Sequence, residues 1–322
     1  MRAAAASSWP VSALLDVVRV GEIVASGEAL AAHVGSLLRR DGGLWIEHRD
    51  LHESYAASMA AGKEFFALAV SQKNEVDGAA FFRAHHNDRR ADFLGKERGW
   101  SRSGARAKEY FQYGPEVRRG DESFIPNIWP TGDFGREFRL VKLDHLARLC
   151  AVHRAMFGVL GSVLNKDKIA ESPDSILCRD SHFLPTTQSS VVRNKAHVDL
   201  CEGTLIHVEP GLQLYQGEAR EPADVVDDAA GWQDVSGAGL LFIPGLALEI
   251  RTGGALRATW HRVVSRVSAE QSRYSIVSFG HADVDDVLGP DLVPRGHEPA
   301  RHYEPISREQ LTVMGGLEYL RA

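Results

Sequence analysis

Histidines and carboxylates at close spacing carry most of the chemistry available to this chain. Fourteen of its 322 residues are histidine. Six of them begin a His-x-Asp/Glu pair: His48/Asp50, His86/Asp88, His197/Asp199, His207/Glu209, His281/Asp283 and His302/Glu304. On a strand, residues i and i+2 share a face, so such a pair presents an imidazole and a carboxylate to the same cation. Chance gives roughly two pairs at this composition, so the pair alone is weak and context has to choose. His197/Asp199 opens a run of apolar strand-like segments. His261 follows 62 residues past Asp199, in Ala-Thr-Trp-His-Arg-Val-Val.

Two histidines and one carboxylate on one face of a metal form the facial donor set suited to non-haem Fe(II), with open positions for O2 and a bidentate co-substrate. Twelve residues after His261 comes Arg273-Tyr274-Ser275. Arg273 and Ser275 point to one side of a strand, where a guanidinium fork and a hydroxyl suit a carboxylate. The other pairs read as structural or surface features, with His86/Asp88 also open to substrate contact. His145 and His153 read as packed or surface histidines.

The elements that must position these residues fall into two textures. Leu44-Trp45-Ile46 follows a turn and reads as a strand. Residues 51–69 and 133–165 carry apolar positions every three or four residues and read as helices. After about residue 172, short apolar runs alternate with Gly, Pro and Asp turns: SILCRDSHFL, TLIHVEP, GLQLYQ, GWQDV, GLLFIPG, LALEIRT, LRATWHRVV and RYSIVSFG. Runs of this kind predict an antiparallel sandwich or barrel. Thr252-Gly253-Gly254 predicts a hairpin between two of them. Residues 301–322 read as a helix that could act as a lid. The expected organisation is a helical and mixed region over 1–170, a β core over 171–285 and a helical segment over 286–322.

Composition sets the outer limits. Hydrophobic residues are 44%, charged residues 25% and the net charge is −6. This is an ordinary globular composition, and an acidic chain is a poor general binder of nucleic acid. Cys150, Cys178 and Cys201 are far apart, which excludes a zinc-ribbon spacing and a disulfide framework; they read as small buried hydrophobes. No membrane span and no signal peptide is expected, and the cytoplasm is the expected compartment. One segment, 83–119, holds ten Lys/Arg against five Asp/Glu. It is punctuated by glycines and reads as loop-rich, either a solvated surface or a wall that attracts an anionic substrate, with Arg102 and Arg106 as candidates.

The segment from 197 to 280 resembles the iron- and 2-oxoglutarate-dependent dioxygenases of the isopenicillin N synthase-like group. The matching text is AHVDLCEGTLIHVEPGLQLYQ, GWQDV, LLFIPGLALEIRTGGALRATWHRVVSR and RYSIVSF. Upstream, LWIEHRDL, KEYFQYGPE (108–116) and PNIWP (126–130) extend the likeness, for a span of about 40–315. The resemblance implies a mainly β fold with flanking helices, whose core is a double-stranded β-helix (a distorted jelly roll). It implies that His197, Asp199 and His261 bind Fe(II), and that Arg273 and Ser275 hold the distal carboxylate of 2-oxoglutarate. Many plant members carry Asn-Tyr-Tyr-Pro before the metal strand. Here Ser181 and Phe183 replace the Asn and the second Tyr, leaving Arg179 as the candidate replacement contact to the co-substrate. Asp199 argues against a halogenase. Gly245-Leu246, where the family has Gly-Asp, reads as structural.

The expected reaction is oxidation of a small molecule by O2 with 2-oxoglutarate as co-substrate, giving hydroxylation, desaturation or ring closure. Two alternatives stay open: an oxidase of the same fold that does not use 2-oxoglutarate, of the isopenicillin N synthase-like or ethylene-forming type, and a non-enzymatic binding module. The binding module gives no reason for the triad and the clamp.

Overall fold

The structure is a computed structural model. It describes residues 14–15, 28–46, 51–85, 97–103, 108–116, 126–164, 176–185, 192–216, 230–237, 239–265, 271–281, 286–294 and 298–321. His48/Asp50, His86/Asp88, Asp283 and Arg106 lie outside them.

The strands are β1 (Leu14–Leu15), β2 (Leu44–Ile46), β3 (Gly99–Ser103), β4 (Lys108–Tyr113), β5 (Ile176–Phe183), β6 (Val192–His197), β7 (Gly203–His207), β8 (Leu212–Tyr215), β9 (Trp232–Asp234), β10 (Leu240–Pro244), β11 (His261–Val264), β12 (Arg273–Gly280), β13 (Val287–Leu288) and β14 (Ile306–Ser307). The helices are α1 (Glu28–Asp41), α2 (Leu51–Ala67), α3 (Val70–Asn74), α4 (Gly78–His85), α5 (Gly132–Leu164), α6 (Leu246–Arg251), α7 (Arg308–Met314) and α8 (Gly316–Arg321). An eight-stranded sheet runs β1-β2-β10-β7-β12-β5-β4-β3, and a four-stranded sheet runs β6-β11-β8-β9. Apart from the parallel β1–β2 contact, the described pairings in both are antiparallel. Side chains of both sheets line one cavity.

Strand alternation divides the large sheet into two faces. Lys108, Tyr110, Arg179, Ser181, Phe183, Arg273, Ser275, Val277 and Phe279 face the cavity. Phe111, on the other face, packs with Phe65 of α2 and Phe138 of α5, ring centroids 4.7 and 5.0 Å away. α5 is long and apolar enough to span a bilayer by length and composition, but 61% of its apolar window is buried inside the protein. Its buried stripe (Phe138, Leu146, Leu149, Val152, Met156, Leu160) is the helical periodicity of the sequence made solid. His145 and His153 are fully buried on it.

The helix-facing side of the sheet also carries buried charge. Lys142 of α5 forms an ion pair with Asp180 of β5 and donates to Ser58 O at 2.6 Å. A Cβ on Gly62 would lie 2.9 Å from Asp180 Oδ2, so the absence of a side chain lets α2 close over the pair. Glu109 of β4 accepts from Lys73 Nζ and Trp100 Nε1, each at 2.9 Å, and lies 2.8 Å from His182 Nδ1. Burial alone would raise its pKa, but the hydrogen bonds from His182, Lys73 and Trp100 outweigh that and hold it at about 2.

Five local expectations are corrected. LALEIRT is a helix, α6, because Leu246, Ala247, Leu248 and Ile250 are buried all round and a short continuous apolar run does not reveal its period. Thr252-Gly253-Gly254 therefore closes a helix, with φ of +59° and +83° at the two glycines, instead of turning a hairpin. LRATWHRVV becomes strand only from His261. The 83–119 segment contains an antiparallel pair, β3–β4, whose alternation is masked by its Lys, Arg and Gly content. Within 301–321 the chain forms β14 and two short helices split at Gly315 (φ +91°) in place of one helix.

Because the Glu109 carboxyl is depressed relative to an unfolded chain, its contribution is present above pH about 4.5 and is lost as pH falls toward about 2. Glu109→Gln is expected to lower unfolding free energy by about 3 kcal/mol at pH 7. In denaturant titrations the gap from the wild type should narrow as pH drops through that window. A gap constant from pH 7 to 3 would show that the charge is not what stabilises this junction.

Candidate metal and carboxylate site

β6 ends at His197, and Asp199 stands two residues on, outside the strand. β11 begins at His261, directly opposite His197 in the antiparallel register. The two imidazole centroids are 4.2 Å apart. His197 Nε2 is 3.8 Å from Asp199 Oδ1, and His261 Nε2 is 3.6 Å from Asp199 Oδ2. One donor atom from each of the three residues falls within a 4.8 Å cluster.

The surroundings fix which atoms converge. His197 Nδ1 lies 2.7 Å from Lys195 O, and His261 Nδ1 lies 3.0 Å from Thr259 O. Each Nδ1 therefore carries the proton as a donor to a carbonyl, which leaves the Nε2 lone pairs turned toward the carboxylate. Asn194 Nδ2 sits 3.2 Å from the His197 Nε2 lone pair. Burial, followed by the neighbouring His261, holds the His197 pKa down to about 3 against the pull of Asp199. Burial would raise the Asp199 carboxyl, but His261, His197 and the Thr204 hydroxyl bring it below its usual range. Thr204 Oγ1 donates to Asp199 Oδ2 at 2.7 Å. Two imidazoles and one oriented carboxylate fit a divalent cation.

Backbone contacts brace the loop that carries Asp199. Leu246 N donates to Asp199 O at 2.7 Å, and Ala247 N to Cys201 O at 3.1 Å. Gly245 makes this approach possible: a Cβ there would lie 2.1 Å from Cys201 O. The three cysteines are free and buried. Cys201 lies 3.2 Å from Thr204 Oγ1, and burial pushes its thiol pKa up, so it stays protonated.

Arg273 and Ser275 line the same cavity from β12. Arg273 Nε donates to Pro210 O at 2.9 Å, while its buried Nη1 has no hydrogen-bond partner among the described residues. Burial lowers its pKa to about 10, opposed by Glu209, so it remains cationic at neutral pH. An orphaned, charged donor beside a hydroxyl is a ready place for a carboxylate. Arg179 also lines the cavity, with Nε donating to Gln112 Oε1 at 2.7 Å.

The other His-x-acid pairs do not converge on a cation site among the described residues. His207 stacks on Tyr55, centroids 3.9 Å apart, and the Tyr55 hydroxyl donates to Glu209. His302/Glu304 is an exposed pair at 2.9 Å. His281 is buried at the end of β12. Arg102 is exposed on the edge strand β3 and does not line the cavity, whereas Lys108 of the same basic stretch does. Thr204 and Asn194 were not singled out from sequence, and Lys108 figured only as one cation of the basic stretch; a hydroxyl five residues past Asp199 has no recognisable spacing signal.

No family model matches the chain, and no curated protein matches it in sequence. Solved structures do. A Caulobacter crescentus protein placed in the 2OG-Fe(II) oxygenase family is 22% identical and superposes with a TM-score of 0.70 over 91% of this chain and 95% of its own. A full-length Neurospora crassa protein, solved in complex with alpha-KG, is 19% identical with a TM-score of 0.72 over 94% of both chains. JOX2, in complex with 2OG, Fe and JA, is 17% identical with a TM-score of 0.67 over 89% of this chain and 81% of its own. The chain therefore has the fold found in 2OG-Fe(II) oxygenases.

Titration with Mn(II) followed by electron paramagnetic resonance tests the cluster. His197→Ala should abolish saturable binding. Thr204→Val, which removes the hydroxyl that orients Asp199, should weaken it about 10–100-fold. Unchanged affinity in both variants would remove the cluster as a metal site.

Proposed function

We propose that this protein is a non-haem Fe(II)- and 2-oxoglutarate-dependent oxygenase of small molecules, built on a double-stranded β-helix. The observation that carries the reading is the convergence in one cavity of a His-Asp-His donor cluster and a buried, partly unpartnered arginine on a strand of the other sheet. The shared fold supports it, as do the alpha-KG, 2OG and Fe complexes of its structural neighbours.

In this reading His197, Asp199 and His261 hold the iron. When bound, iron supplies O2 activation, so that oxidative decarboxylation of 2-oxoglutarate to succinate and CO2 is coupled to oxidation of a substrate C–H bond. The protein's part is placement and exclusion of water. Thr204 fixes the Asp199 carboxylate, and the two backbone carbonyls fix the imidazole tautomers. Arg273 and Ser275 receive the far carboxylate of the co-substrate. Arg273 is already oriented by the Pro210 carbonyl, so little side-chain freedom is lost on binding. Phe183, Ile206, Leu212, Val263 and Val277 give the cavity apolar walls. Hydroxylation, desaturation and ring closure all begin with the same C–H abstraction, and the substrate decides between them.

The test is anaerobic addition of 2-oxoglutarate to iron-loaded protein, followed by O2 and succinate assay. A visible charge-transfer band and slow succinate release are expected in the wild type. Arg273→Ala should weaken 2-oxoglutarate binding at least 100-fold while leaving Mn(II) affinity intact. Absence of both band and succinate would reject the co-substrate and return the oxidase without 2-oxoglutarate.

A further inference from the structure

The cavity face of the large sheet is ordered in rows set by strand register. Lys108, Phe183 and Arg273 are aligned across β4, β5 and β12; Tyr110, Ser181 and Ser275 form the next row; Gln112, Arg179 and Val277 form the third. Arg179 is four residues along β5 from Phe183, about 13 Å of extended chain. The carbon chain of 2-oxoglutarate spans about 5 Å, from bonds of about 1.5 Å. Arg179 is held in its own row. Its guanidinium carbon lies 5.1 Å from the Tyr110 ring centroid and 4.9 Å from that of Phe279, and its Nε is taken by Gln112. The described residues place no carboxylate in hydrogen-bond contact with it, and none takes its two Nη groups.

Charge points the same way. Among the described residues, the cavity lining holds three cations, Lys108, Arg179 and Arg273, against one carboxylate, Asp199. A divalent metal and a dianionic co-substrate cancel each other, so the lining stays cationic when both are present. Asp199 goes to the metal and Arg273 to the co-substrate. Near the Arg179 end, burial, then Arg308, Arg179, His153 and Arg98, disfavour the charged form of His281, so it is not a cationic rival of Arg179 for an anion.

Resting on the proposed function, we infer that Arg179 is the substrate anchor and that the substrate carries a carboxylate, which the two Nη groups take bidentately. This gives Arg179 to the substrate instead of the co-substrate. The neighbouring Tyr110 and Phe279 rings restrict the orientation of the planar fork, so the anchored group fixes which C–H bond is presented to the metal end of the cavity.

Acetate is the probe, because it is small enough to enter whatever the shape of the true substrate; acetamide is its neutral counterpart. Calorimetric titrations are run on wild type saturated with Zn(II) and N-oxalylglycine, and on metal-free Arg273→Gln, which lacks the co-substrate clamp. Acetate should bind saturably in both and acetamide at least tenfold more weakly. Adding Arg179→Gln should weaken acetate at least tenfold in both backgrounds, and Arg179→Lys should restore part of the loss with an unchanged melting temperature. Equal binding of acetate and acetamide, or acetate binding indifferent to Arg179→Gln, overturns the assignment. Tight phosphate with weak acetate also overturns it, in favour of a phosphorylated substrate. Failure of the metal and co-substrate reading shows separately, as absent Zn(II) or N-oxalylglycine binding in the wild type, while the metal-free arm still reads Arg179.

Discussion

The pairing of β12 with β5 runs unbroken from Arg273↔Phe183 to Gly280↔Ile176, and the cavity depends on it. Side chains alternate with a period of two, so a slip of one residue would carry Arg273 and Ser275 to the helix side and bring Tyr274 and Ile276 into the cavity. β4 extends the same register on the far edge of β5, and β7 continues it beyond β12. The spacing between Arg273 and Ser275 and the groups farther along the cavity is thus a property of backbone hydrogen bonding, not of any loop.

Buried charges on the opposite face reinforce that register. Asp180 meets Lys142, and Glu109 meets Lys73, Trp100 and His182, all away from solvent. Such groups add little net stability over apolar packing, but moving either carboxylate off its partner leaves a buried charge uncompensated. A displaced register is therefore penalised on both faces at once: polar groups lose partners against the helices, and apolar groups displace the arginine and serine in the cavity. The helices serve the site in this indirect sense, since among the described residues none of theirs lines the cavity.

The metal cluster was legible because its information is local in sequence. His197-x-Asp199 and the Arg273-x-Ser275 pair encode one strand face each, and His261 stands at the head of a strand-like run. The long helix α5 was legible for a similar reason, since its stripe repeats over many turns. What stayed hidden depends on contacts distant in sequence. α6 looked like a strand because every side of it is buried. β3 and β4 looked like a charged loop because Lys73, Asn194 and other partners of their polar residues come from far along the chain. Thr204 became relevant only once the turn after Asp199 folded back over it. Arg179 was visible as a residue, but its row along the sheet was not.

The C-terminal segment gives the site a remote support. Gly316 packs close to Leu200 Cδ2 and Leu246 Cδ2, where a Cβ would lie 2.7 and 3.2 Å away. Tyr303, Ile306 and Leu311 join Val198 and Leu246 in one apolar cluster. Val198 and Leu200 flank Asp199, so the end of the chain braces the residue that supplies the only carboxylate of the donor cluster. Any cation captured there must share its binding energy with the docking of the last helices. If undocking these helices loosened Asp199, a cation held by His197, Asp199 and His261 would favour their docking and docking would favour the cation, a reciprocal linkage across more than a hundred residues of sequence.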